Sequence, residues 1–156
     1  MPDPHFPAPI IYAATTAHYK FFPWGPFISI ILAQWADESG YGAHVSGHYN
    51  FFGIKATADQ IAAGNATRVL TKEFINGRYI TEPQYFTNYP SLEAGFIAHT
   101  ELLTHPWYAK CQWTSTPDAY ADALHECGYA TEPNYPSILK SIIREHNLTQ
   151  YDRQGV

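Results

Sequence analysis

Apolar residues recur at helical spacing along most of this chain and alternate in only one stretch. The first helical pattern opens at Pro9 and carries Ile10, Ile11, Ala14 and Ala17 on one face. Pro23-Trp24-Gly25 breaks it. A second opens at Pro26, which suits a first turn because its missing N–H would have no partner there. Ile28, Ile31, Leu32 and Trp35 then form one buried stripe. The stretch from Gly40 to Asn50, rich in Gly, Ser and His, reads as loop. A short helix is predicted over Ala58 to Ala63, closed by Gly64. Strand signals lie at Arg68 to Ile75 and Tyr79 to Phe86, on either side of Asn76-Gly77, the strongest short hairpin signal. Pro83 implies an edge position or an irregularity in the second strand. Three helical segments follow. Ser91 caps one whose apolar face is Leu92, Phe96, His99 and Leu103. Thr116-Pro117 starts another, with Gly128 just past its end. Pro136 starts the last, with Ile138, Leu139, Ile142 and Ile143 inward. The pattern predicts an α+β fold, mostly helical with one small β-hairpin, in a single domain over residues 1–156.

Composition narrows the function. Of 156 residues, 46% are hydrophobic and 16% aromatic, so the chain can bury a core and is not disordered. Twelve tyrosines and four tryptophans suit both a core and a sugar-binding groove, with at least half assigned to the core. The net charge of −5, without any basic run, argues against nucleic acid as a partner. Recognition of a polyanion would rest on short-range contacts in a groove. Met1 to Pro9 has neither the basic nor the apolar region of a secretory signal, and no apolar run is long enough to span a bilayer. The expectation is a monomer made in the cytoplasm without an export signal, with no membrane partner. Cys111 and Cys127 fit no zinc spacing; a disulfide and two free thiols are equally compatible with the sequence.

Candidate chemistry centres on Glu38. It lies one heptad after Ile31, so at about 100° per residue it falls on the flank of the apolar stripe, half-buried. Asp37 falls on the opposite side, solvated. Cleavage of a glycosidic bond needs a proton donor for the leaving oxygen, and partial burial raises a carboxyl pKa toward that task. Helical phase alone fits an exposed helix-end glutamate equally well. Glu73 shares a strand face with Val69, Thr71 and Ile75, pointing either into a cleft or out from an edge strand. His44 and His48 have i, i+4 spacing, but Val-Ser-Gly between them does not form a helix and no acidic partner completes a zinc motif. No metal or cofactor is expected. A Cys–His hydrolase built from Cys111, His125 and Cys127 fails because Cys127 falls at a helix C-terminal end, not the N-terminal position that lowers a thiol pKa.

Five segments in order then carry a resemblance. Glu38-Ser-Gly-Tyr-Gly42 is followed by Asn50-Phe-Phe-Gly-Ile-Lys55, by Thr71-Lys-Glu73, by Phe86-Thr-Asn-Tyr89-Pro-Ser91, and by Gly128-Tyr-Ala-Thr-Glu-Pro-Asn-Tyr135, with Tyr151-Asp152 near the end. The set resembles glycoside hydrolase family 73, the flagellar-rod type of endo-β-N-acetylglucosaminidase, over Ile28 to Asp152. Two positions depart from the family pattern: Phe51 stands where Leu is usual, and Glu132 where Asp is usual.

The resemblance implies a lysozyme-like fold with the hairpin lobe flanking a cleft. It implies Glu38 as general acid, Glu73 as a second acidic residue on a mobile lobe, and Tyr129 as a catalytic tyrosine facing the cleaved sugar. Tyr41, Asn50, Phe51, Phe52 and Tyr135 would bind substrate or wall the groove. The implied reaction is cleavage of peptidoglycan between N-acetylglucosamine and N-acetylmuramic acid. A lytic transglycosylase or muramidase is the nearest alternative, although transglycosylases carry a Gly-Leu-Met-Gln-like motif where this chain has Asn50 to Lys55. An inactive glycan-binding module is the alternative of another class. Two settings are compatible, a toxin injected into a rival cell or a phage lysis enzyme. The toxin is preferred and would require a cognate immunity protein occluding the cleft.

Overall fold

The computed structural model describes residues 2–153, apart from the side chains of Glu73 and Arg153. Seven helices and one hairpin follow in the order α1 (Ala8–Phe21), α2 (Ile28–Ser39), α3 (Ala58–Ala62), β1 (Ala66–Ile75), β2 (Arg78–Thr87), α4 (Leu92–Leu102), α5 (Ala109–Gln112), α6 (Pro117–Glu126) and α7 (Tyr135–Glu145). Short 3-10 segments cover Pro106–Tyr108 and Leu148–Arg153. The α+β plan read from the sequence is the one observed. The start and stop signals account for most boundaries. Thr57 and Gln60 form a reciprocal capping box on α3, and the Ser91 and Thr116 hydroxyls accept from the Ala94 and Ala119 N–H groups. Asn76 and Gly77 both take positive φ, 51° and 81°, as a tight two-residue hairpin turn requires.

The second helix differs from its expected form. Instead of one apolar stripe, every residue from Ile28 to Ala36 is buried. The reason is its place in the fold: α1, α6, α7 and the closing 3-10 segment pack around it. An axial helix of this kind has no solvent face to carry polar residues. Its own N-cap position, Phe27, supplies no side-chain cap. Asp152 does so from the far end of the chain, accepting from the Ser29 N–H at 2.9 Å and from its hydroxyl at 2.5 Å. A carboxylate there satisfies an orphan donor and opposes the positive end of the helix dipole.

β1 and β2 pair antiparallel in register from Ala66↔Thr87 to Ile75↔Arg78. With two strands both are edges, which accommodates Pro83. The base of the hairpin is tied to the body. Thr87 N–H donates to the Ile54 carbonyl and Ala56 N–H to that of Tyr85, while Lys55 bridges to Phe86. Beyond Thr71 the hairpin projects, and Phe74, Ile75 and Tyr79 are exposed. Both cysteines are free thiols in this structure, Cys111 buried and Cys127 partly so. Among the described residues no helix is long and apolar enough to cross a membrane.

Candidate active site

The turn after α2 is built by its own residues. Gly40 takes the left-handed conformation (φ 55°) and its N–H returns to the Ala36 carbonyl, ending the helix. Ser39 is fully buried; its hydroxyl donates to the Trp35 carbonyl at 2.5 Å and accepts from the Gly42 N–H at 2.9 Å. A Cβ on Gly42 would lie 2.9 Å from the Trp35 ring, so the chain can pass there only as glycine. These contacts fix the last turn of α2, and Glu38 with it.

Two cavities meet at Glu38. One of about 550 Å³ is lined by Asp37, Glu38, Tyr129 to Glu132, Tyr135 and Ile138. The other, of about 450 Å³, is lined by Glu38, Phe52 to Lys55, Leu102, Tyr108 and Tyr129. Glu38 and Tyr129 belong to both, so a chain-like ligand crossing from one to the other passes over them.

Glu38 is not half-buried, as helical phase predicts: its surface is open to solvent along the cleft. Protein nevertheless surrounds it on several sides. That desolvation raises its carboxyl to about 7, helped by the negative charges of Asp37 and Glu132. Surface exposure and desolvation coexist because a cleft floor contacts water through one opening while the walls displace the rest. Asp37 is exposed as expected but lines the same cleft, because the groove wraps around the end of α2; its own pKa is raised by desolvation and by Glu132. Glu132 is therefore part of the electrostatics of the site.

Tyr129 is partly buried at the junction of the cavities. Desolvation and the neighbouring Glu38 charge push its phenol well above the usual range, so it stays a neutral hydrogen-bond donor. Tyr135 lines the first cavity with its hydroxyl accepting from Gln34 Nε2 at 3.1 Å. Gln34 Oε1 in turn accepts from His99 Nε2 at 2.9 Å, and the His99 ring stacks on Phe52 with centroids 3.8 Å apart. Burial holds the His99 pKa down to about 3, so the ring is neutral. This buried relay links the two cavity walls from below. Gln34 escaped the sequence reading, and His99 entered it only as a core position; nothing in local spacing connects residues 34, 52, 99 and 135.

Three expected substrate contacts do not line either cavity. Asn50 is 1% exposed; its amide donates to the Ile54 and Thr87 carbonyls and accepts from the Ile54 N–H, knitting the 50–54 loop to the hairpin base. Phe51 packs edge-on against Trp35 and near Phe96. Tyr41, in the left-handed region at φ 58°, is carried away from the cleft to the side where Phe6 and His146 lie. Glu73 sits opposite Ile80 in the ladder, and its side chain lies outside the described structure.

The glucosaminidase family model, described as mannosyl-glycoprotein endo-beta-N-acetylglucosaminidase, matches residues 24–148. The chain belongs to this family. It is 33% identical over 139 residues to a probable N-acetylmuramidase of Lactococcus lactis, covering 82% of this chain and 31% of that protein. It is 37% identical over 123 residues to the peptidoglycan hydrolase FlgJ of Salmonella typhimurium, covering 74% of this chain and 38% of that one. The chain thus spans about a third of these relatives' length. The catalytic domain of the autolysin Auto from Listeria monocytogenes superposes with a TM-score of 0.81 at 27% identity, covering 97% of this chain and 90% of that one. The fold is thus the lysozyme-like architecture that the sequence resemblance implied.

Proposed function

We propose that this glucosaminidase domain hydrolyses peptidoglycan, cutting the β-1,4 bond between N-acetylglucosamine and N-acetylmuramic acid, with Glu38 as general acid. The observation that carries the reading is a carboxyl raised to about 7 at the meeting point of two cavities. A group with that pKa is half protonated near neutrality and can give its proton to a leaving oxygen. Sugar rings on either side of the bond would occupy the two cavities. Tyr129 would donate a hydrogen bond at the reacting centre, and Phe52 and Tyr135 would wall the flanking sites. Asn50, Phe51 and Tyr41 would act by holding the loops. Glu73, carried on the hairpin, would position water or stabilise the cationic transition state. Residues 1–156 would form one domain; the single buried cluster drawn from both ends of the chain supports this.

Reducing-end analysis of digested wall tests the bond assignment. New N-acetylglucosamine ends support it. New N-acetylmuramic acid ends would favour the muramidase reading that the name of the Lactococcus relative suggests, and 1,6-anhydro ends a transglycosylase. We also propose an interbacterial toxin role, with an immunity protein plugging the open cleft. Export of the chain to the periplasm of a Gram-negative host should lyse the cells, and a Glu38→Gln chain should not.

A further inference from the structure

The end of α7 gathers two histidines and a carboxylate that the proposed reaction leaves unused. His5 Nδ1 donates to Asp3 Oδ1 at 3.0 Å, and His146 Nδ1 donates to Asp3 Oδ2 at 2.5 Å. Two ring nitrogens, one from each imidazole, and a carboxylate oxygen all lie within 4.8 Å of one another. We propose that Asp3, His5 and His146 form a binding site for a divalent transition-metal ion of the zinc class.

The donor set selects the ion. Two imidazoles and one carboxylate suit zinc at about 2.0–2.2 Å from each ligand and leave a fourth position for water. Magnesium and calcium prefer oxygen ligands throughout.

The surroundings are those of a built site. The Tyr41 hydroxyl lies 3.2 Å from His146 Nε2. With Nδ1 on the metal, the imidazole proton sits on Nε2 and is donated to the Tyr41 oxygen, which fixes tautomer and ring orientation. Asp3 is anionic at neutral pH, its carboxyl held down to about 2 chiefly by the His5 backbone N–H. Phe6, 1% exposed, anchors the adjoining segment edge-on to the His146 ring at 5.1 Å. His146 is 14% exposed and Asp3 27%, while His5, at 57%, is the solvent-facing ligand. Asp3 and His5 precede residue 24, where the family match begins, so that match does not account for the site. A bound ion would pin the first residues to the end of α7 and, through Tyr41, to the turn that follows Glu38.

Calorimetric titration of the chelator-treated full chain with zinc chloride tests the proposal, with cobalt(II) absorbance as a probe of coordination. We expect one ion per chain and a cobalt spectrum of low coordination number. His5→Ala and Asp3→Asn should each weaken binding by about tenfold or more. His44→Ala should leave it unchanged, and magnesium chloride should give no signal. Melting curves of the variants check that they fold. Absence of saturable one-to-one binding, or parent-like affinity in folded His5→Ala, would overturn the assignment.

Discussion

The last turn of α2 and the outer half of the hairpin each carry a candidate carboxylate, at Glu38 and Glu73, on elements of opposite character. α2 is buried along its length, capped at one end by Asp152 and locked at the other by Ser39 and Gly42. The hairpin is tied down at its base, through Asn50, Ile54 and Ala56, while Phe74, Ile75 and Tyr79 stand exposed at its tip. An acid that must meet one atom of a leaving group gains from a rigid mount. A group that joins only when substrate is present can ride on an element with little buried apolar surface, where opening costs least. The fold thus sets Glu38 on a buried, capped helix and Glu73 on a hairpin anchored at its base.

The sharpest way to break this comparison is Glu38→Gln. Loss of a general acid should lower wall hydrolysis by about 10²–10⁴-fold, measured by turbidity of purified walls, with the circular dichroism spectrum retained. Its melting temperature should be unchanged or higher. The folded pKa is raised above the unfolded one, so between about 4.5 and 7 the native state holds more protons and loses stability as pH rises; glutamine removes that loss. Activity of the parent should fall as pH climbs through about 7, because the ionised carboxylate has no proton to give. A flat profile to pH 9 would remove Glu38 from that role.

Asn50→Ala addresses the base of the hairpin. The Thr87 carbonyl and the Ile54 N–H lose the Asn50 amide in the interior, while the Ile54 carbonyl keeps the Thr87 N–H, so denaturant unfolding should show a loss of about 2–4 kcal/mol. Glu73→Gln should leave stability unchanged and reduce turnover less than the Glu38 variant; parent-like turnover would confine the chemistry to the body. Phe74→Ser, at the exposed tip, should shift stability by no more than about 0.5 kcal/mol.

Much of the frame was legible because its signals are local. Asn76-Gly77 marked the hairpin, Ser91 and Thr116 marked helix starts, and the two motifs around Glu38 and Asn50 marked the family. The short helix α5 and its neighbouring 3-10 turn were missed, since four or fewer residues carry no period. The exposure of Glu38 was misjudged because helical phase describes one cylinder and knows nothing of a groove at its end. Tyr41, Asn50 and Phe51 were assigned to the groove by motif, whereas backbone geometry at Gly40 and Tyr41 and the burial of Asn50 sent them elsewhere.

By itself the sequence determined the longer elements, their order and the carboxylate to suspect, because propensity, capping and turn chemistry act over a few residues. Tertiary structure alone decided that Asp152 caps α2, that Gln34 and His99 couple the cavity walls, and that Asp3 and His5 meet His146. Those contacts join residues 65 to 143 positions apart, set by how helices pack in three dimensions rather than by any spacing along the chain.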